Sequence, residues 1–83
     1  MNFELRTTPK FEKLFRKLER EVQARVLKQI SSLANNPFQG KSLHGSLKAK
    51  FSLRVGEHRV IYRVEDNVIL LLAVGHRKKV YQT

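Results

Sequence analysis

The chain contains no cysteine, so neither a disulfide framework nor a thiolate metal site can form. Acid is scarce: Asp and Glu number 7 against 17 Lys and Arg, a net charge of +10 with a pI near 10.6. Such an imbalance speaks to partners rather than fold, and suits nucleic acid, an acidic protein or an anionic membrane surface. Long apolar runs are missing too. The longest, Val68 to Val74, is far short of a membrane span. The opening Met1-Asn2-Phe3-Glu4 lacks the basic-then-apolar order of a signal peptide, and a soluble cytoplasmic protein is expected. The histidines, His44, His58 and His76, show no metal-ligand spacing, and no metal or cofactor is expected. No repeat, low-complexity tract or linker interrupts the 83 residues, which read as one domain, 1–83, with a modest core.

What is present reads as an α+β chain. Phe3 and Leu5 alternate with polar neighbours, as in a short strand. Thr8-Pro9 then resembles an N-cap followed by proline in the first helical turn. Phe11, Leu14, Phe15 and Leu18 follow at helical spacing, and Val22, Val26, Ile30 and Leu33 repeat the pattern. A helical hairpin broken near Glu19 to Glu21 accounts for both sets; one bent helix is the alternative. Asn35-Asn36-Pro37 ends the second helix. Residues 37–48, with Pro37, Gly40 and Gly45, read as a loop. Three strands follow, through Phe51 to Val55, Val60 to Val64 and Val68 to Val74, joined by tight turns at Gly56-Glu57 and Asp66-Asn67. The fold class expected is therefore a short N-terminal strand, a two-helix hairpin and a three-stranded antiparallel meander, forming one sheet packed on the helices.

The first hairpin has a definite register. With Gly56-Glu57 as its loop, Val55 pairs with His58, Arg54 with Arg59, Leu53 with Val60, Phe51 with Tyr62 and Lys50 with Arg63. Leu53, Val60, Phe51 and Tyr62 then pack on the helices. Lys50, Ser52, Arg54, Arg59, Ile61 and Arg63 occupy the open face. A slip of one residue would drive arginines into the core, so the register is well determined. Arg54 opposite Arg59 is a like-charge pair, unfavourable by roughly 0.2–1 kcal/mol. Continued alternation puts Leu70, Leu72, Val74 and His76 on the open face as well, and Arg77 on the core face. A bulge near Gly75 would let His76 and Arg77 act together.

The chemistry of these residues points to an anion. A guanidinium is planar, permanently charged and binds phosphate bidentately. Arg54 and Arg59 either meet a phosphate backbone, or merely solvate the sheet or pair with Glu57, Glu65 or Asp66; the like-charge pairing favours the first. Lys50 shares their face. His76 can give or take a proton near neutral pH, and Tyr81 can orient a reacting group or stack on a base. Lys10, Lys13, Arg16 and Lys17 form a basic helix face that either is simply solvated or extends a nucleic-acid track.

The segments Asn36-Pro37, Leu43-His44-Gly45, Phe51-Ser52-Leu53-Arg54-Val55-Gly56-Glu57-His58-Arg59-Val60-Ile61-Tyr62 and His76-Arg77-Lys78-Lys79-Val80-Tyr81 resemble the RelE/ParE superfamily of bacterial and archaeal toxins. RelE-type members cut messenger RNA in the ribosomal A site, whereas ParE-type members poison DNA gyrase and lack the ribonuclease residues. The resemblance implies a metal-independent endoribonuclease whose catalytic residues fall on Lys50, Arg59, Arg77 and Tyr81. A second lysine of the RelE-type pattern falls on Ser52, which cannot act as a base. His76 is the substitute expected, and Lys50 the next. RNA and phosphate contacts are expected from Arg54, Lys10, Lys13, Arg16, Lys17, Lys78 and Lys79. The implied partners are the ribosome, messenger RNA and an acidic antitoxin. A gyrase inhibitor without catalysis and a non-enzymatic RNA-binding protein are the alternatives.

Overall fold

The computed structural model describes residues 3–43 and 50–80. Thr8 starts the helical layer. Its extended backbone lets Oγ1 accept the Phe11 N–H at 3.2 Å while the hydroxyl donates to the Leu71 carbonyl at 3.0 Å. Pro9 follows in the first turn, where a missing N–H costs nothing, and α1 runs Pro9–Arg16. The break expected near Glu19 is real: Glu19 is the extended residue before α2, Arg20–Leu33. Gln23 Nε2 donates to the Phe15 carbonyl at 2.9 Å, adding to the Leu18 N–H that the same carbonyl accepts at 3.1 Å and tying α2 to the end of α1.

One five-stranded sheet lies against these helices. Its strands are β1 (Glu4–Thr7), β2 (Lys41–Ser42), β3 (Lys50–Val55), β4 (His58–Glu65) and β5 (Val68–His76), in the order β1-β5-β4-β3-β2. β1 is parallel to β5 and the other pairs are antiparallel. β2 lies inside the segment 37–48 expected to be loop. Its two residues pair with Ser52 and Phe51, too short a stretch to leave an alternation in the sequence. Among the described residues, no helix is long and apolar enough to cross a membrane.

The β3–β4 ladder has the expected register throughout, from Val55 opposite His58 to Lys50 opposite Arg63. Gly56 supplies the positive φ of that turn, at 61°, and Asp66 does the same at 53° in the next. The main core joins Phe11, Val26, Ile30 and Leu33 of the helices to Leu53, Val55, Val60, Tyr62, Ile69, Leu71 and Val74 of the sheet. Tyr62 is fully buried and stacks on Phe51 at 5.3 Å. Its hydroxyl donates to the Pro37 carbonyl at 2.8 Å and accepts the Gly40 N–H at 3.0 Å, fastening the post-helical segment to the sheet. Burial pushes this hydroxyl above the ordinary tyrosine range, and the Gly40 N–H pulls it partly back.

The phase of β5 differs from simple alternation. Tyr62 pairs with Leu71 but Ile61 pairs with Ala73, so Leu72 is the extra residue of a bulge. Leu70, opposite Arg63, stays on the open side as expected. Beyond the bulge the faces exchange: Val74 enters the main core, and His76, opposite His58, lies on the helix side. The placement of Val74 and His76 on the open face is therefore corrected. Ala73 and Gly75 take the open face instead, opposite Ile61 and Arg59. A second apolar cluster, Ile61, Ala73 and Val80, covers part of that face, with Leu14, Leu43 and Leu72 packed against it. On the open side this cluster takes in Leu72 and Ala73, while Val68 and Leu70 stay half-exposed.

Candidate phosphate-binding face

Two facing strands carry the cations. Arg54 and Arg59 are direct cross-strand partners, and Lys50 and Arg63 form a second like-charge pair four residues along β3. Arg54 is exposed and its Nε donates to the Gly56 carbonyl at 3.3 Å, which steadies the side chain beside the turn. Arg59 and Lys50 are half-buried. Arg63 forms an ion pair with Glu65, so part of its charge is already answered. Among the described residues, no carboxylate comes within ion-pair distance of Arg54, Arg59 or Lys50. Of the bland readings of Arg54 and Arg59, pairing with Glu57, Glu65 or Asp66 is not adopted, while plain solvation of the exposed Arg54 fits the same geometry.

Gly75 sits opposite Arg59 on the open side. A Cβ there would lie 3.7 Å from the Cβ of Val80, ordinary contact, so Val80 is seated directly over it. Ser52, between Lys50 and Arg54, is only 1% exposed. The position where the resemblance expects a second lysine is thus closed to solvent, which independently removes it from proton transfer.

His76 belongs to a different cluster. Its ring meets that of His58 edge-on, centroids 5.8 Å apart at 72°. Nδ1 accepts the Lys78 N–H at 3.2 Å, and Nε2 faces Glu57 Oε2 at 3.9 Å. The Arg77 N–H donates to the Glu57 carbonyl at 2.8 Å and the Lys79 N–H to the His76 carbonyl at 2.8 Å. Arg77, Lys78 and Lys79 are exposed in the resulting turn. The structure therefore groups Lys50, Arg54 and Arg59, and places His76 behind the sheet from them. Tyr81, His44 and Gly45 lie outside the described residues.

Lys10, Lys13 and Arg16 are exposed on α1. Phe11 of the same helix enters the main core, and Leu14 packs against both that core and the Ile61–Ala73–Val80 cluster. Lys17, just past α1, lines a groove with His76, Lys79 and Val80. Reading the sequence missed two contributors, Glu57 and Gly75. The hairpin register alone puts Glu57 at the tip beside the end of β5; the bulge needed to bring Gly75 opposite Arg59 left no mark in an all-apolar run.

The arrangement can bind an oxyanion and stabilise charge growing on it, because two guanidinium groups that meet no carboxylate among the described residues stand side by side on a two-stranded ladder. Comparisons with known proteins agree with this geometry. Residues 5–81 match the family of ParE toxins of the type II toxin–antitoxin system parDE. The chain is 30% identical to Toxin RelG of Mycobacterium tuberculosis over 86 aligned residues, covering 99% of each. Its fold superposes on the toxin–antitoxin complex RelBE2 of Mycobacterium tuberculosis with TM-score 0.84, 30% identity and coverage of 93% of this chain and 100% of the other. The archaeal RelE–RelB complex of Pyrococcus horikoshii gives TM-score 0.78 at 25% identity, with 96% and 100% covered. By sequence and fold together, the chain belongs to the RelE/ParE superfamily of toxins of toxin–antitoxin systems.

Proposed function

We propose that this toxin is a ribosome-dependent endoribonuclease that cleaves messenger RNA. The observation that carries the reading is the Arg54–Arg59 pair, flanked by Lys50, on a face where none of the three meets a carboxylate among the described residues. In the reaction, the 2′-oxygen attacks the adjacent phosphorus and the bond from phosphorus to the 5′-oxygen breaks. The products are a 2′,3′-cyclic phosphate and a free 5′-hydroxyl. A base takes the 2′-proton and an acid protonates the leaving 5′-oxygen. Arg59 and Arg54 stabilise the charge on the phosphorane-like transition state, a role suited to a group that keeps its proton. Lys50, on the same face, takes the proton-transfer role, since the register puts His76 on the other face of the sheet. Arg77 contributes a further phosphate contact and Tyr81 orients or stacks on the RNA, both by resemblance to RelE-type toxins. Lys78 and Lys79 add charge beside them. The protein acts in the cytoplasm, and an acidic antitoxin that folds over the basic surface holds it inactive.

Few groups poised for proton abstraction share the site, so the ribosome must hold the 2′-hydroxyl in line. Such positioning can contribute roughly 7–11 kcal/mol. The test compares one defined transcript free and on translating ribosomes. Cleavage only on the ribosome supports the reading; equal rates would remove the ribosome from it.

A second reading has its own support. The matching family is described by ParE, and His76 lies away from the cationic face. On this reading the same basic surface blocks DNA gyrase without catalysis. Accumulation of gyrase–DNA cleavage complexes with intact messenger RNA would favour it.

A further inference from the structure

The site as proposed leaves His76 without a chemical role, yet both ring nitrogens have polar neighbours. Nδ1 accepts the Lys78 N–H, which puts the ring proton on Nε2, toward Glu57 Oε2. Glu57 in turn takes the Arg77 N–H on its carbonyl. The backbone of Arg77 is therefore pinned on one side by Glu57 and on the other, through Lys78, by His76. The edge-on His58 ring restricts rotation of the His76 ring. Beyond the turn, Val80 returns onto Gly75, directly across from Arg59.

We infer that His76 is a positioning residue: with Glu57 it clasps the turn 77–80, holding Arg77, Lys78 and Lys79 at the edge of the Arg54/Arg59 face. The role is that of a hydrogen-bond acceptor, not of a proton carrier. It deepens the ribonuclease reading, on which it rests for its effect on rate. The clasp itself is a structural statement that stands apart from that reading.

The chemistry separates the possibilities cleanly. Asparagine places Oδ1 close to where Nδ1 of histidine lies and can accept the Lys78 N–H, but cannot shuttle a proton. Glutamine places its amide near the Nε2 position and leaves Lys78 unpartnered; alanine does neither. The experiment uses the full chain with His76→Asn, His76→Gln and His76→Ala, read in two ways. The first is hydrogen exchange of the Lys78 amide, with the Val60 and Ile69 amides as controls for global stability. The second is single-turnover cleavage of a ribosome-bound transcript across pH.

Exchange at Lys78 should quicken roughly tenfold in the Gln and Ala variants, the factor an ordinary hydrogen bond carries, and stay near wild type in Asn. Cleavage should follow the same order, with kcat affected and the shape of the pH profile unchanged. Unaltered Lys78 exchange in His76→Ala would overturn the clasp. A quickened exchange with wild-type cleavage in all variants would overturn the positioning role. A His76→Asn protein as slow as His76→Ala, with one limb of the pH profile gone, would make His76 a proton carrier and overturn the inference. Failure of the wild type to cut any transcript would defeat the ribonuclease reading alone, and the exchange measurement would still decide the clasp.

Discussion

Arg54 and Arg59 face each other across the β3–β4 ladder, and no carboxylate among the described residues answers either charge. In the free protein this pairing is unfavourable by roughly 0.2–1 kcal/mol. Arg59→Ala should therefore leave the protein folded and equally or slightly more stable, while lowering ribosome-dependent cleavage on the order of a hundredfold or more. Denaturant melts and single-turnover rates on the same preparation check both halves. A folded Arg59→Ala protein with full activity would remove Arg59 from the site.

The hairpin that positions these arginines was legible because two independent patterns share one phase. Leu53, Val60, Phe51 and Tyr62 must be buried, Arg54 and Arg59 must not, and Gly56 suits a turn that needs positive φ. The helices were legible for a similar reason: the Thr8-Pro9 cap and the spacing of Phe11, Val26, Ile30 and Leu33 agree. β5 was not. From Val68 to Val74 every residue is apolar, so nothing in the sequence marks Leu72 as the bulge, and a shift of one residue exchanges the faces of everything after it. That single slip carried His76 to the helix side. β2 escaped notice because two residues have no period.

Tyr62 belongs to the motif shared with the superfamily, yet it is fully buried and ties Pro37 and Gly40 to the sheet. Tyr62→Phe should cost about 1–3 kcal/mol by stranding a buried donor and acceptor. Burial raises the folded-state pKa of this hydroxyl above its unfolded value. Its stabilising contribution is therefore complete below the ordinary tyrosine value of about 10 and is lost as pH rises through the folded pKa. The stability gap between wild type and Tyr62→Phe should accordingly narrow above pH of about 10, measured by urea melts. A gap that widens there would contradict the assignment.

Gly40 approaches Tyr62 closely. A Cβ at position 40 would lie 2.6 Å from Tyr62 Oη and 3.0 Å from the Ser52 carbonyl oxygen. Gly40→Ala should destabilise by about 1–3 kcal/mol, as overpacking of a filled site does. In the Tyr62→Phe background, which removes Oη, the cost should fall, and a double-mutant cycle measures that coupling.

Thr8 joins the two layers. Thr8→Val keeps the shape but loses both the cap to Phe11 and the bond to the Leu71 carbonyl beside the bulge. The expected loss is about 1–2 kcal/mol, with α1 fraying first in hydrogen exchange. An unchanged melting point would show that the bulge is held without this hydroxyl.

The central claim is that the open cationic face cuts messenger RNA as it is translated. Mapping RNA 5′ ends in cells expressing the toxin tests it most directly, with Arg59→Ala as the control. The account predicts new 5′-hydroxyl ends within translated codons, present with the wild type and absent with Arg59→Ala. Toxicity without such ends, or equal cutting of untranslated RNA, would contradict it.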